Sequence, residues 1–188
     1  CSDNGAGYLN PTQLDEPRES GLADGTQRWT DYSRSWLRRL GLRHQGFVVD
    51  GYNPMTQAQE KLYERITGDG LVTQGQFRSG GAPHLIGNFP VVGMAHNSLD
   101  SDPATAAAQV ASLCSSSAVK FLPLRQILQS PTYNYLWLRE LKRSYPGLDT
   151  ALLTPGEFFY VMRQSLGGSN TGRALFVADT MPAEVGAG

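Results

Sequence analysis

The sequence has little cysteine, histidine and lysine, and these shortages exclude several classes of protein. Two cysteines, Cys1 and Cys114, do not make a disulfide framework, although the sequence leaves a bridge between them open. The three histidines occur without CxxC or HxxxH spacing, so no metal site is predicted. A GxGxxG turn after a strand and a P-loop are both missing, so no cofactor is expected.

Long apolar runs and clusters of one charge are also missing. No apolar stretch approaches the roughly 18 residues of a membrane-spanning helix, so no membrane span is expected. The 16 basic and 17 acidic residues are well mixed and give a net charge of −1. Because no basic cluster is available to follow phosphates, nucleic acid is not an expected partner. The composition therefore predicts one soluble globular domain.

Helix and strand signals alternate between residues 26 and 166. Capping residues and helical spacing predict helices that begin near residues 26, 56, 102, 130 and 154. Strands are predicted at residues 46–50, 71–76, 90–95, 119–124 and 151–153. This order favours an α/β fold with a mainly parallel sheet, flanking helices and right-handed crossovers. Residues 1–168 are assigned to the domain, and the weakly patterned residues 169–188 to a tail or linker.

The first predicted helix has no strand before it. Residues 1–25 are rich in Gly, Pro, Asp and Glu and do not supply a convincing one. We therefore expect Trp29, Trp36 and Leu37 to point toward a sheet that these 188 residues do not provide. On this interpretation the chain is the second half of a larger domain, and those three side chains are exposed.

Candidate catalytic residues follow the predicted strands, because sites in parallel α/β proteins lie beyond the carboxyl ends of the strands. Asp50 directly follows Phe47-Val-Val, so it is a candidate acid, base or nucleophile for a glycosidic bond; ordering of the next turn is the alternative. Asp100 and Glu157 are candidate second carboxylates. Glu157 also stands three residues after Thr154, which is the spacing of a capping box.

Polar and aromatic residues in the same loops are suited to binding a polyhydroxylated ligand. His96 follows the third predicted strand, where it orients a substrate hydroxyl or serves as a hydrogen-bonded structural histidine. The other candidates for substrate contact are Tyr8, Tyr52, Gln76, Asn97 and Arg125. We expect Tyr8, Asp50, Tyr52 and His96 to converge at one end of the sheet.

The segment from Gly5 to Pro11, Gly-Ala-Gly-Tyr-Leu-Asn-Pro, resembles the signature of the GxGYxYP family of proposed glycoside hydrolases. Gly5, Gly7, Tyr8 and Pro11 match the signature, and Asn10 stands where the family has its second tyrosine. Three later segments have an order and spacing similar to the C-terminal portion of the family: 47–52, 87–92 and 153–163. The resemblance thus spans roughly residues 2–166.

The resemblance implies an irregular (β/α)-barrel-like domain that acts on or binds polysaccharide, outside the cell or at its surface. Tyr8 then presents an aromatic face for a sugar ring, or else covers the edge of the sheet. The acidic Asp-Gly-Asp-Asn motif of the family is absent from this chain. Expected partners are therefore a glycan and either a missing N-terminal part of the same protein or other chains of an assembly.

Two functions remain open at this point. The first is a glycoside-hydrolase-like, carbohydrate-active domain, favoured by the glycine turn and by Asp50. The second is a non-catalytic structural or carbohydrate-binding module of an extracellular or cell-surface assembly, favoured by the missing acidic motif.

Overall fold

The mixed α/β class is confirmed by a computed structural model. It describes residues 13–14, 21–48, 55–73, 82–96, 98–114, 121–124, 129–168 and 175–179. The helices are α1 (Thr26–Arg39), α2 (Gln57–Ile66), α3 (Pro103–Leu113), α4 (Pro131–Ser144) and α5 (Pro155–Leu166). The strands are β1 (His44–Val48), β2 (Gly70–Thr73), β3 (His84–Ile86), β4 (Phe89–Gly93), β5 (Phe121–Leu124), β6 (Thr150–Leu153) and β7 (Leu175–Asp179). Within these ranges, no helix has the length and apolar character needed to cross a membrane.

Side-chain caps explain where four of the helices begin. A hydroxyl or carboxylate oxygen accepts a hydrogen bond from the backbone amide three residues later, which satisfies an amide that has no partner within the helix. The capping residues are Thr56, Asp102, Ser130 and Thr154. Three of the caps are followed by proline at the first helical position, where its missing amide costs nothing.

The strands form two sheets that are joined by a short parallel link. The first sheet has the order β1-β2-β4-β3, and β3 alone in it is antiparallel to its neighbour. The second has the order β5-β7-β6 and is wholly parallel. A parallel bridge pairs His96 with Leu124, and the Ala95 amide donates to the Pro123 carbonyl at 2.9 Å. The predicted strands therefore run in one direction, with their carboxyl ends at the same edge.

Two strands differ from the sequence prediction. Leu175–Asp179 lies inside the range assigned to a tail or linker, yet as β7 it is the central strand of the second sheet. A short apolar run that is paired on both sides has no alternating pattern, which is why it was missed. His84–Ile86 pairs with β4 across a two-residue turn at Gly87, whose φ of 60° suits glycine.

Alternate side chains of the strands pack against helices on opposite faces of the sheet. Leu71 and Val91 pack with α1 and α2, whereas their neighbours Val72 and Val92 pack under α5. On the second sheet, Leu122 packs against α3 and α4. Helices on both faces are typical of an open, doubly wound sheet, whereas a closed barrel fills its interior with strand side chains alone. Barrel-like closure is therefore not confirmed.

The exposure predicted for the first helix is wrong for two of its three residues. Trp29 and Leu37 are 4% and 1% exposed, because α1 packs on α2 and on the first sheet. The Trp29 ring meets Tyr63 edge-on, with the ring centroids 5.1 Å apart. Trp36 is 39% exposed, as predicted. The sequence signal failed because α2, a later element, provides the surface that a preceding strand was expected to supply.

His44, at the start of β1, is expected to make the protein less stable in acid. Its ring lies beside Phe159, and its Nε2 is buried without a hydrogen-bond partner in the described part of the chain. Burial is the chief cause that lowers the pKa of His44 from 6.5 to about 4. The unfolded chain therefore takes up a proton at a higher pH than the folded chain does.

The free energy of unfolding should consequently fall as the pH drops from 6.5 toward 4. His44→Leu should reduce this fall, and urea unfolding at a series of pH values measures it. An equally steep fall in the variant would contradict the assignment.

Candidate functional site

The carboxyl edge of the parallel strands is the candidate site. Of the residues predicted for it, His96, Asp100 and Glu157 belong to the described part of the chain. The others lie outside the described residues: Tyr8, Asp50, Tyr52, Gln76, Asn97 and Arg125. Their convergence with His96 therefore stays a prediction.

His96 occupies the junction between the two sheets. It follows β4 and its backbone is bridged to Leu124 at the end of β5. The side chain is partly buried, and its Nδ1 is inaccessible to solvent and has no hydrogen-bond partner among the described residues. An unpaired buried nitrogen costs free energy, so a hydroxyl that reached Nδ1 would be favoured, but the side chains that cover this atom would have to move aside first. If His96 were instead a structural histidine, its Nδ1 would need a hydrogen-bond partner, and the described residues do not supply one.

Asp100 lies in the connection between β4 and α3 and is held there by three hydrogen bonds. Its carboxylate accepts the Asp102 amide at 2.8 Å, and its own amide donates to Gln109 Oε1 at 2.9 Å. Its carbonyl accepts the Tyr133 hydroxyl from α4. The Asp100 side chain is exposed at this edge. It therefore orders the start of α3 while remaining accessible to a ligand.

Glu157 follows β6 but is engaged in the predicted capping box, which is confirmed. Its carboxylate accepts hydrogen bonds from the Thr154 amide at 2.9 Å and the Thr154 hydroxyl at 2.7 Å. These hydrogen bonds, the side-chain one first, lower the pKa of Glu157. A glycosidase acid needs a raised pKa instead. The structure therefore favours the helix cap over catalysis for this residue.

Loss of this cap should be measurable. Thr154→Ala is expected to lower the free energy of unfolding by about 1 kcal/mol, because the Glu157 amide loses its acceptor and the Glu157 carboxylate loses a donor. Thr132→Ala, in the exposed first turn of α4, is the matched control and should leave stability unchanged or slightly raised. Chemical denaturation of both variants is the measurement, and equal losses would contradict the capping role.

Other polar and apolar features lie apart from the predicted residues. Glu60 of α2 and His84 of β3 are paired at 3.0 Å, a contact that the sequence did not suggest. A cavity of about 110 Å³ between α4 and β6 is lined mostly by Trp137, Leu138, Leu141 and Leu152. No group of three metal-binding side chains occurs among the residues that the structure describes.

Comparison with known proteins gives no matching family model, no matching curated protein and no matching solved structure. The resemblance to the GxGYxYP family therefore rests on the quoted residues, and the function has to be argued from the site.

Proposed function

We propose that this chain is a carbohydrate-active domain that binds polysaccharide at the carboxyl edge of its parallel strands. The observation that carries the proposal is the buried, unpartnered Nδ1 of His96 at the junction of β4 and β5. A sugar hydroxyl both donates and accepts hydrogen bonds, so once the side chains covering Nδ1 move aside it satisfies either tautomer of the imidazole. Exposed Asp100, in the adjoining loop, adds an acceptor for a second hydroxyl.

From the chain order we expect further polar residues at the same edge. Asp50 and Tyr52 follow β1, Gln76 follows β2, Asn97 follows β4, and Arg125 follows β5. Since these strands are parallel, we expect the residues that follow them to lie at one edge. Carboxylate, amide, phenol and guanidinium groups form the kind of polar lining that fixes a polyol in a pocket.

The barrel-like architecture and the extracellular location belong to the same proposal. Among the described residues β1 has β2 as its one neighbour, so its outer edge is free to pair with a further strand. A larger (β/α)-barrel-like domain, of the kind that the resemblance implies, would supply such a strand. A location outside the cell or at its surface is where such a domain would meet polysaccharide.

A non-catalytic module is favoured over a hydrolase by one specific observation. Two carboxylates at this edge, Asp100 and Glu157, both accept hydrogen bonds from backbone amides at helix starts. A hydrolase requires a pair of carboxyl groups about 5–5.5 Å or about 6.5–9.5 Å apart, one of them with a raised pKa. Of the carboxylates predicted from the sequence, Asp50 is therefore the one on which hydrolysis by this chain would depend.

The test measures oligosaccharide binding and hydrolysis by the native chain and by Asp50→Asn. We expect binding without turnover, which supports the module; hydrolysis that Asp50→Asn abolishes would support the hydrolase. His96→Ala should weaken binding about tenfold, which corresponds to the ~1.4 kcal/mol of one hydrogen bond. His44→Leu, at the amino end of parallel β1 and so at the opposite edge of the sheet, is the control and should bind normally. Absence of both binding and hydrolysis in the native chain would contradict the proposal.

A further inference from the structure

One flank of α1 carries two arginines and two aromatic rings that the core does not use. Arg28, Tyr32, Trp36 and Arg39 follow one another at helical spacing, and we call these four residues the α1 stripe. Tyr32 is 50% exposed and Trp36 39%, whereas Trp29 and Leu37 of the same helix are buried. The α1 stripe therefore faces solvent, while the other side of the helix packs into the hydrophobic core.

The members of the α1 stripe are arranged to present both ring surface and positive charge. The Tyr32 and Trp36 rings meet at 63° with their centroids 6.2 Å apart. The Arg39 guanidinium carbon lies 5.5 Å from the Trp36 ring centroid, the geometry of a cation–π contact. Within the described part of the chain, neither Arg28 nor Arg39 forms a salt bridge. Their charges are thus available to a ligand.

The charge of α1 is opposite in sign to that of the whole chain. The helix contains four arginines and one acidic residue, Asp31, which accepts a hydrogen bond from Gln27 at 2.9 Å. The complete sequence has a net charge of −1. A positive surface on a nearly neutral protein selects an anionic partner, and the planar guanidinium matches a carboxylate with two parallel hydrogen bonds.

We propose that the α1 stripe binds an acidic polysaccharide, in which ring carboxylates pair with Arg28 and Arg39 while sugar faces stack on Tyr32 and Trp36. The inference rests on the polysaccharide binding in the proposed function, although not on the carboxyl-edge site, and adds the class of glycan. The two arginines are separated by about 16 Å along the helix axis, so the contact extends over several sugar units. A neutral glycan would leave both guanidinium groups without the partner that they are best suited to bind.

The tryptophans of the chain provide a local reporter of this contact. Trp36 is the exposed one, since Trp29 and Trp137 are each 4% exposed. Polygalacturonate should therefore protect the fluorescence of Trp36 from quenching by acrylamide. Binding measured by calorimetry should weaken as salt is added, because exposed charge pairs are screened. The methyl ester of the same polymer, which lacks the charge, should bind about tenfold more weakly, a loss of ~1.4 kcal/mol.

Two variants and a matched pair of controls locate the contact. Arg39→Gln and Trp36→Ala should each lower the affinity for polygalacturonate about tenfold, by the same conversion. The controls are Arg139→Gln and Tyr135→Ala on α4, where an exposed arginine–tyrosine contact of 5.7 Å occurs outside the α1 stripe. Both controls should bind as the native chain does. Circular dichroism checks that every variant is folded.

Three results would overturn the proposal: equal affinity for the polymer and its ester, normal binding by both α1 variants, or equally tight binding of polyglutamate. The last would assign the α1 stripe to an acidic polypeptide instead. The carboxyl-edge site is judged separately. Glycan binding that depends on His96 and not on the α1 stripe overturns this inference alone, whereas binding that depends on the α1 stripe and not on His96 overturns the edge site alone.

Discussion

Phe158→Ala is expected to lower the free energy of unfolding by about 3–5 kcal/mol. Phe158 of α5 is 0% exposed and packs edge-on against Phe121 of β5, with the ring centroids 5.7 Å apart. It also meets Phe159, at 5.4 Å between centroids. Truncation would open a cavity beneath α5, between that helix and the strands of both sheets, and the surrounding side chains would fill it only partly.

The matched control for this variant lies on the same helix. Tyr160 is 59% exposed, so Tyr160→Ala should change the free energy of unfolding by no more than about 0.5 kcal/mol. Urea denaturation followed by circular dichroism measures both variants. Similar small losses at the two positions would mean that α5 does not cover the sheet, and the assignment of helices to both faces would fail.

Gly70→Ala is the second large effect, with an expected loss of up to about 3 kcal/mol. Gly70 begins β2, directly beneath α5. A Cβ atom at this position would lie within 2.6 Å of three carbons of the Phe159 ring, far closer than van der Waals contact allows. Because Phe159 is 2% exposed, its ring has no free space into which it could move. The helix and the strand would have to separate.

A second substitution shows whether the Phe159 ring is the cause. Phe159→Leu removes part of the ring, so the double variant should lose less stability than the sum of the two single losses. Gly147→Ala is the control, since a Cβ there would meet nothing within 4 Å. Additive losses in the double variant, or a loss at Gly147 as large as at Gly70, would contradict this close packing of α5 on β2.

Local signals in the sequence predicted the helices and strands themselves better than they predicted which of these elements pack against one another. The caps at Thr56 and Thr154 depend on side chains three residues apart, so the helices that they begin were predictable. The burial of Trp29 was not, because it depends on Tyr63, which is distant in sequence. The position of β7 between β5 and β6 could not be predicted for the same reason, because the pairing of strands depends on contacts between distant parts of the sequence.

The candidate site shows the same division. Glu157 was a candidate both for catalysis and for a capping box. The capping box, which is a contact between residues close in sequence, is present in the structure. The unpartnered nitrogen of His96 could not be predicted, because it depends on how β4 meets β5. On α1, exposure was predicted alike for Trp29, Trp36 and Leu37, and of these three only Trp36 is exposed. Helical spacing groups residues on a face without stating which face is buried.

The most direct test of glycan binding at the carboxyl edge follows the three histidines of the chain by proton NMR during titration with oligosaccharide. His96 lies at the carboxyl edge, whereas His44 lies at the opposite edge, at the start of parallel β1. We predict that the imidazole resonances of His96 shift as the glycan binds, while those of His44 stay in place. A glycan that binds without moving the His96 resonances would contradict a site at this edge.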